Sequence, residues 1–205
     1  MMYRVKRINS KVQIEQCEKF AIQQYMWESK QEPKVYGWLG YLENQGIYAK
    51  MVCEETNPKC IYHMHKDPVY KDSAMEIFLA FLGEGETLTN DCMYTNFEIN
   101  SKGAMLANFG KGRKGRQFIS DEQYEQTEVK ATVEEDKWYI EVLFPESYLN
   151  EICDFEKVKK GSTFYCNFYK ISESEEILHF GSYSPINSAT PNFHLPVCFA
   201  EARIE

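Results

Sequence analysis

The chain runs to 205 residues with 23 basic and 31 acidic side chains, a formal charge of −8, and this balance excludes the basic face that a nucleic-acid partner requires. Hydrophobic residues make up 43% and aromatic residues 15%, with 14 Tyr and 13 Phe, a load of rings that favours strands over helices. A chain of this size buries roughly 70% of its unfolded surface around one core, so residues 1–205 are expected to form one domain.

The amino-terminal segment Met1 to Ser10 is basic but has no apolar stretch behind it, so no secretory signal is expected. No apolar run approaches the ~18 residues that span a bilayer, which removes a membrane partner. Ile14, Cys17, Phe20 and Ala21 fall at three- and four-residue spacings and predict a short helix within Ile14 to Met26. From there the period is mostly two. Tyr36 to Tyr41 and Ile47 to Glu54 flank the turn formers Glu43-Asn44-Gln45-Gly46 and predict a hairpin with Ile47, Ala49 and Met51 on one face.

Ser73 to Phe81 reads as a strand with Met75, Ile77, Leu79 and Phe81 on one side and Glu76, Phe78 and Ala80 on the other. In Tyr94 to Asn100, Phe97 and Ile99 oppose Asn96, Glu98 and Asn100. Ala104 to Phe109 is a further strand, followed by the basic, glycine-rich loop Gly110 to Arg116. Glu128 to Val133 and Trp138 to Phe144 pair across Glu134 to Lys137, and Pro145 stops the second of them, since proline cannot donate to a ladder. A helical turn is expected over Glu146 to Cys153, then strands over Phe164 to Ile171, Leu178 to Tyr183 and Val197 to Ile204. Many short strands with few helices predict an all-β fold, a two-sheet antiparallel β-sandwich of jelly-roll or immunoglobulin-like type with a minor helical element. The seven cysteines (17, 53, 60, 92, 153, 166, 198) are odd in number, scattered and without a C-x-x-C pair, as expected of reduced, buried thiols in a cytoplasmic protein.

Six segments stand in a recognisable order: Asp72 to Leu79, Tyr94 to Asn100, Trp138 to Pro145, Asn167 to Lys170, Ser182 to Pro185 and Asn192 to Pro196. The series resembles the carbohydrate-binding module family 9-like proteins, in particular their stand-alone bacterial branch, from about the first hairpin to the carboxyl terminus. The resemblance implies a sandwich that holds the reducing end of a sugar between two aromatic rings. One ring lies just before the Asp-Ser-x-x-Glu strand, where this chain has Tyr70, and the other before the last strand, where it has Phe193. Relatives more often carry tryptophan at both places, a basic residue where Glu98 stands, and Phe-Gly where this chain has Phe199-Ala200. Calcium occurs in relatives, but no calcium-ligand spacing is present here, and neither a metal nor another cofactor is expected.

Sugar recognition needs aromatic faces for the C–H face of the ring and polar side chains for its hydroxyls. Tyr70, Tyr183 and Phe193 are candidates for the first; Glu76, Asn96, Glu98, Asn100, Asn167 and Tyr169 are candidates for the second, with His194 as a loop anchor beside Phe193. The competing reading is an ordinary solvated sheet face over an ordinary core. Glu76 and Glu98 on neighbouring strands also suit a glycosidase acid and nucleophile, whose carboxyls lie about 5 to 9.5 Å apart, though binding without catalysis is the expected activity. His63-Met64-His65 puts two imidazoles on one face of an extended segment without a third ligand. The loop Gly110 to Arg116 has four basic residues but no P-loop ending, and reads as a solvated hairpin tip. The expected partner is a mono- or oligosaccharide, with a protein-binding scaffold as the other class; the oligomeric state is left open.

Overall fold

A computed structural model describes residues 2–152 and 160–205. Its strands are β1 (Tyr3–Ile8), β2 (Lys19–Ile22), β3 (Gln24–Tyr25), β4 (Lys34–Leu42), β5 (Gly46–Glu54), β6 (Ala74–Ala80), β7 (Met93–Asn100), β8 (Met105–Lys111), β9 (Gln117–Phe118), β10 (Glu128–Val133), β11 (Trp138–Pro145), β12 (Thr163–Ser172), β13 (His179–Ser182) and β14 (Ala200–Ile204). Two short α-helices, α1 (Asp121–Gln126) and α2 (Glu146–Ile152), complete the regular elements together with three-residue and six-residue 3₁₀ turns. Cys153, which ends the expected helical turn, lies outside the described residues.

The fold is all-β, but its strands form one hydrogen-bonded path, β10-β11-β5-β4-β1-β14-β12-β6-β7-β8-β9, with β2 on β4 and β13 on β12. The cause is β1. Its first half, Tyr3 to Val5, pairs parallel with β14, and its second half, Lys6 to Ile8, pairs parallel with β4. One strand thus hands the ladder from one neighbour to another and curls the sheet over itself. The expectation of two separate, purely antiparallel sheets is corrected to one curled, mixed sheet. Inside the curl pack Leu39, Met51, Ile77, Phe97, Trp138 and Phe168, all buried. Phe20 stacks on Phe168 at 3.7 Å between ring centroids, and burying each such ring stabilises the fold by roughly 1.5–3 kcal/mol.

Two segments differ from expectation. Ile14 to Met26 holds a 3₁₀ turn over Lys11–Gln16 followed by β2 and β3, because Phe20 and Ile22 alternate into the core and outweigh the helical spacing of Ile14 and Cys17. The carboxyl-terminal strand starts only at Ala200, after a 3₁₀ turn over Pro196–Cys198. Helix α1 was not anticipated, although Ser120 and Gln123 form a reciprocal capping box at its start, a spacing visible in sequence.

Candidate functional site

The central strands β12, β6 and β7 lie side by side, and their residues alternate as the sequence predicts. Ile77, Phe97 and Phe168 enter the main core, which leaves Glu76, Phe78, Asn96, Glu98, Asn167 and Tyr169 on the opposite face. That face is not solvated. Glu76 is 2% exposed, Asn96 1% and Glu98 5%, because a second apolar cluster containing Phe180, Phe193 and Phe199 covers it.

Three segments build the cover. The first is the tight turn Met26 to Ser29, closed by Ser29 N–H donating to Met26 O at 3.3 Å. Trp27 and Glu28 both have left-handed backbones there, at φ 52° and 59°, a conformation that costs a non-glycine residue on the order of 1–2 kcal/mol. The strain aims the Trp27 ring at Phe193, 5.6 Å away, while its Nε1–H donates to Ser188 O at 2.9 Å. The second segment carries Tyr70. It is held by the buried Asp72 carboxylate, which accepts from Ile61 N, Tyr62 N and Asn100 Nδ2 at 2.8 to 3.1 Å. The third carries Phe193 and His194, and the Arg113 guanidinium ties it down by donating from Nη1 to Pro191 O at 3.0 Å.

Beneath the cover lies a cavity of about 300 Å³, at the lower end of small-molecule sites. Trp27, Tyr70 and Phe193 supply its aromatic walls, Glu76 and Glu98 its floor, and Glu173, Arg113 and His194 further polar lining. Glu76 and Glu98 are direct cross-strand partners. Glu98 Oε1 accepts from Asn96 Nδ2 at 3.1 Å, yet the Oε2 atoms of both glutamates are buried without any hydrogen-bond partner. Burial, reinforced by the Glu98 and Glu173 charges, holds Glu76 well above the ordinary carboxylate range; burial likewise pushes Glu98 up to about 8.

His194 has its pKa pushed down to about 3 by burial and the nearby Arg116 and Arg113 charges. Its Nδ1 lies 2.8 Å from Tyr94 Oη, and Tyr94 donates its only hydroxyl proton to Gly112 O at 2.8 Å. The imidazole therefore donates through Nδ1, which leaves Nε2 as the unprotonated acceptor.

The sequence candidates divide accordingly. Tyr70, Glu76, Glu98, Phe193 and His194 come together at the cavity. Asn96 stands one layer back, accepting from Arg116 Nε at 3.0 Å. Tyr169 is buried against Phe193, rings stacked at 4.1 Å, and donates its hydroxyl to Phe193 O at 3.3 Å; it supports the ring wall and has no hydroxyl to offer a ligand. Asn167 anchors the third segment, accepting from Ser184 N at 2.9 Å and donating to Ser184 O at 3.2 Å. Asn100 is likewise a brace, its Oδ1 accepting from Lys102 N and Ala104 N. Tyr183 lies on the other side of the sheet, against Tyr3, Phe20 and Phe168, because it follows β13 on the core-facing side.

Two other sequence features also resolve. His65 Nδ1 accepts from Met105 N at 3.2 Å and its ring stacks on Tyr124, which takes one imidazole out of the His63–His65 pair. The basic loop is no simple solvated tip: Arg116 folds inward over the Tyr94 ring at 3.7 Å and donates to Gly110 O, Gly112 O and Tyr94 O as well as Asn96. Trp27, Arg113 and Glu173 are among the lining residues that sequence reasoning missed as site members. Trp27 follows directly on the segment read as helical, and nothing local distinguishes Arg113 from its basic neighbours.

The sequence profile of carbohydrate-binding family 9 matches residues 6–204. No curated protein matches the chain. Among solved structures, a proposed carbohydrate-binding protein from Bacteroides uniformis is 22% identical with a TM-score of 0.83, covering 100% of this chain and 99% of its own. A family 9 carbohydrate-binding module from Caldicellulosiruptor kristjanssonii is 11% identical in two complexes. With cellotriose the TM-score is 0.67 and the coverage 100% and 94%; with glucose they are 0.68, 100% and 96%. These likenesses show the shared fold, and the profile match over nearly the whole length shows that the chain belongs to carbohydrate-binding family 9.

Proposed function

We propose that this member of carbohydrate-binding family 9 holds a mono- or oligosaccharide in the cavity above β6 and β7 without reacting with it. The observation that carries the reading is the pairing, in one concave site, of the aromatic walls Trp27, Tyr70 and Phe193 with a polar floor from Glu76 and Glu98. Rings meet the C–H face of a sugar, and the carboxylates accept from its hydroxyls. Family membership and the cellotriose and glucose bound to the Caldicellulosiruptor module support the ligand class. Phe193 already spends one face on Tyr169, so Trp27 joins Tyr70 as a wall in this reading. Buried thiols, among them Cys53 with its pKa pushed up to about 12 by burial, support a reducing, cytoplasmic setting.

Calorimetry with mono- and oligosaccharides tests the proposal: saturable heat is expected, with no product released. Trp27→Ala should weaken binding about tenfold or more through lost stacking and buried area. Binding undiminished in that folded variant would move the site elsewhere. A glycosidase reading draws on the same facing glutamates, both of which are raised and so favour the protonated form that a general acid needs. Release of product from a chromogenic glycoside, abolished in Glu98→Gln, would decide for it.

A further inference from the structure

The floor of the cavity leaves two buried carboxyl oxygens without a hydrogen-bond partner among the described residues. Glu76 and Glu98 face each other in register on adjacent strands, 2% and 5% exposed, and the Oε2 of each is buried without a partner. An unpartnered buried carboxylate oxygen costs several times more than a paired one. Two such atoms in one cavity mark a place where a donor from outside the chain would be stabilised.

The neighbouring cations do not satisfy them. Arg116 stands behind Asn96 and spends its donors on Asn96 and on the Gly110, Gly112 and Tyr94 carbonyls. Lys170 points into the opposite side of the sheet, where it donates to Ser73 and faces Glu55 at 3.7 Å. Arg113 lines the cavity but is committed through Nη1 to Pro191 O. His194 meets the site as a neutral imidazole, and Glu173 adds a third acid to the lining. Three carboxylates therefore converge on a space whose lining offers a single cation.

We infer that the ligand carries a protonated primary amine that sits between Glu76 and Glu98, making the preferred sugar an amino sugar with its amine free. This rests on the saccharide reading above and narrows it. An ammonium brings three donors and a positive charge in a volume close to that of a hydroxyl. It can donate to both orphan oxygens at once and cancel the repulsion between them, where a hydroxyl has one proton and no charge. Charge-assisted hydrogen bonds are roughly twice as strong as neutral ones. A metal ion is a poorer occupant, because among the described residues no three His, Cys, Asp or Glu side chains are grouped to hold one. Burial, with Glu98 and Glu173 acting on Glu76 and Glu173 on Glu98, favours the protonated carboxyls near neutral pH. Entry of the amine displaces a carboxyl proton to solvent.

Titration calorimetry at neutral pH with glucosamine, glucose and N-acetylglucosamine tests the inference on the full chain. Glucosamine should bind at least tenfold more tightly than either of the others, and its heat should vary with the ionisation enthalpy of the buffer, reporting proton release. In Glu76→Gln and Glu98→Gln, which keep the side-chain volume, the ratio of glucosamine to glucose affinity should fall towards parity. Glucose binding as tightly as glucosamine, or a preference surviving in both folded variants, would overturn the amine and leave the saccharide reading in place. Heat from none of the three sugars, nor from longer oligosaccharides, would overturn the saccharide reading and the amine with it. Should a glutamine variant not fold, the ranking of the three sugars and the buffer dependence on the native protein decide.

Discussion

A half-buried carboxylate and a buried pair of carboxyls sit on opposite sides of the same sheet and are treated in opposite ways. On the core side, Glu55 Oε2 accepts from Ser73 Oγ at 2.5 Å, Trp138 Nε1 at 2.9 Å and Cys53 Sγ at 3.6 Å, with the fully buried Lys170 ammonium 3.7 Å away. Burial alone would raise the pKa of Glu55, but Lys170, Ser73 and Trp138 outweigh it and hold the carboxyl below its ordinary value. On the cavity side, Glu76 and Glu98 are buried more deeply than Glu55, lack a facing cation, and are raised. Burial pushes all three carboxyls upward; only Glu55 has the partners that reverse it. A satisfied buried charge joins distant strands, here β5 through the adjacent Glu55 with β6, β11 and β12, whereas an unsatisfied one is held ready for a partner from outside.

The contrast is tested most severely on the core side. Lys170→Met should cost about 3–5 kcal/mol in urea denaturation, since it leaves Glu55 buried without its cation, and adding Glu55→Gln should recover most of that loss. A loss below about 1 kcal/mol would mean that the two groups do not act as a pair. Arg116→Ala comes next. It removes the inward-folded guanidinium and its hydrogen bonds to the Gly110, Gly112 and Tyr94 carbonyls, so a loss of at least about 2 kcal/mol is expected. Asn96, freed of Arg116, should also release Glu98 and weaken saccharide binding, a readout that a merely distant structural defect would not move.

The smallest effect is on the pH profile. Glu98 has its folded pKa raised from 4.5 to about 8, so the folded state holds a proton that the unfolded state has lost. Stability from this source is fully present below 4.5, declines as pH rises, and is gone above about 8, with a slope near about 1.4 kcal/mol per pH unit at most. His194 and His179 run the other way: both are pushed from 6.5 down to about 3 by burial and neighbouring cations, so the unfolded chain protonates first and stability falls as pH drops from 6.5 towards 3. Glu76, also raised, adds a second falling limb, and two falling limbs against two rising ones leave stability near its maximum between 4.5 and 6.5. Glu98→Gln should make the alkaline limb shallower, Glu76 keeping part of it, and be more stable than the native protein at pH 8 by about 1–3 kcal/mol. A native protein whose stability rises steadily from pH 6.5 to 8 would show that the floor carries no raised carboxyl.

Strand faces were readable because they are local. Side chains alternate with period two whatever the strand pairs with, so Glu76, Asn96, Glu98, Asn167 and Tyr169 share one face in the sequence pattern and in the fold alike. The capping box at Ser120 and the turn residues around Gly46 are equally local; a side chain at Gly46, with φ 137°, would strike Phe144 O at 2.0 Å. Register is not local. That Glu76 stands opposite Glu98, and that β1 divides its length between β14 and β4 and so curls the sheet, depends on pairings between segments that no periodicity ranks. The cover over the floor is more distant still. Trp27 meets the Ser188 carbonyl across 161 residues and Arg113 meets that of Pro191 across 78. Contacts of that separation form only when the whole sheet has closed, because loop entropy opposes them until many other interactions already hold the ends together. The sequence by itself thus determined which side chains could form the floor, through the alternation every strand obeys. Only the tertiary structure decided that Tyr169 and Asn167 brace the site, that Tyr183 belongs to the core and that Trp27 closes the cavity, since each depends on which loops dock over which face.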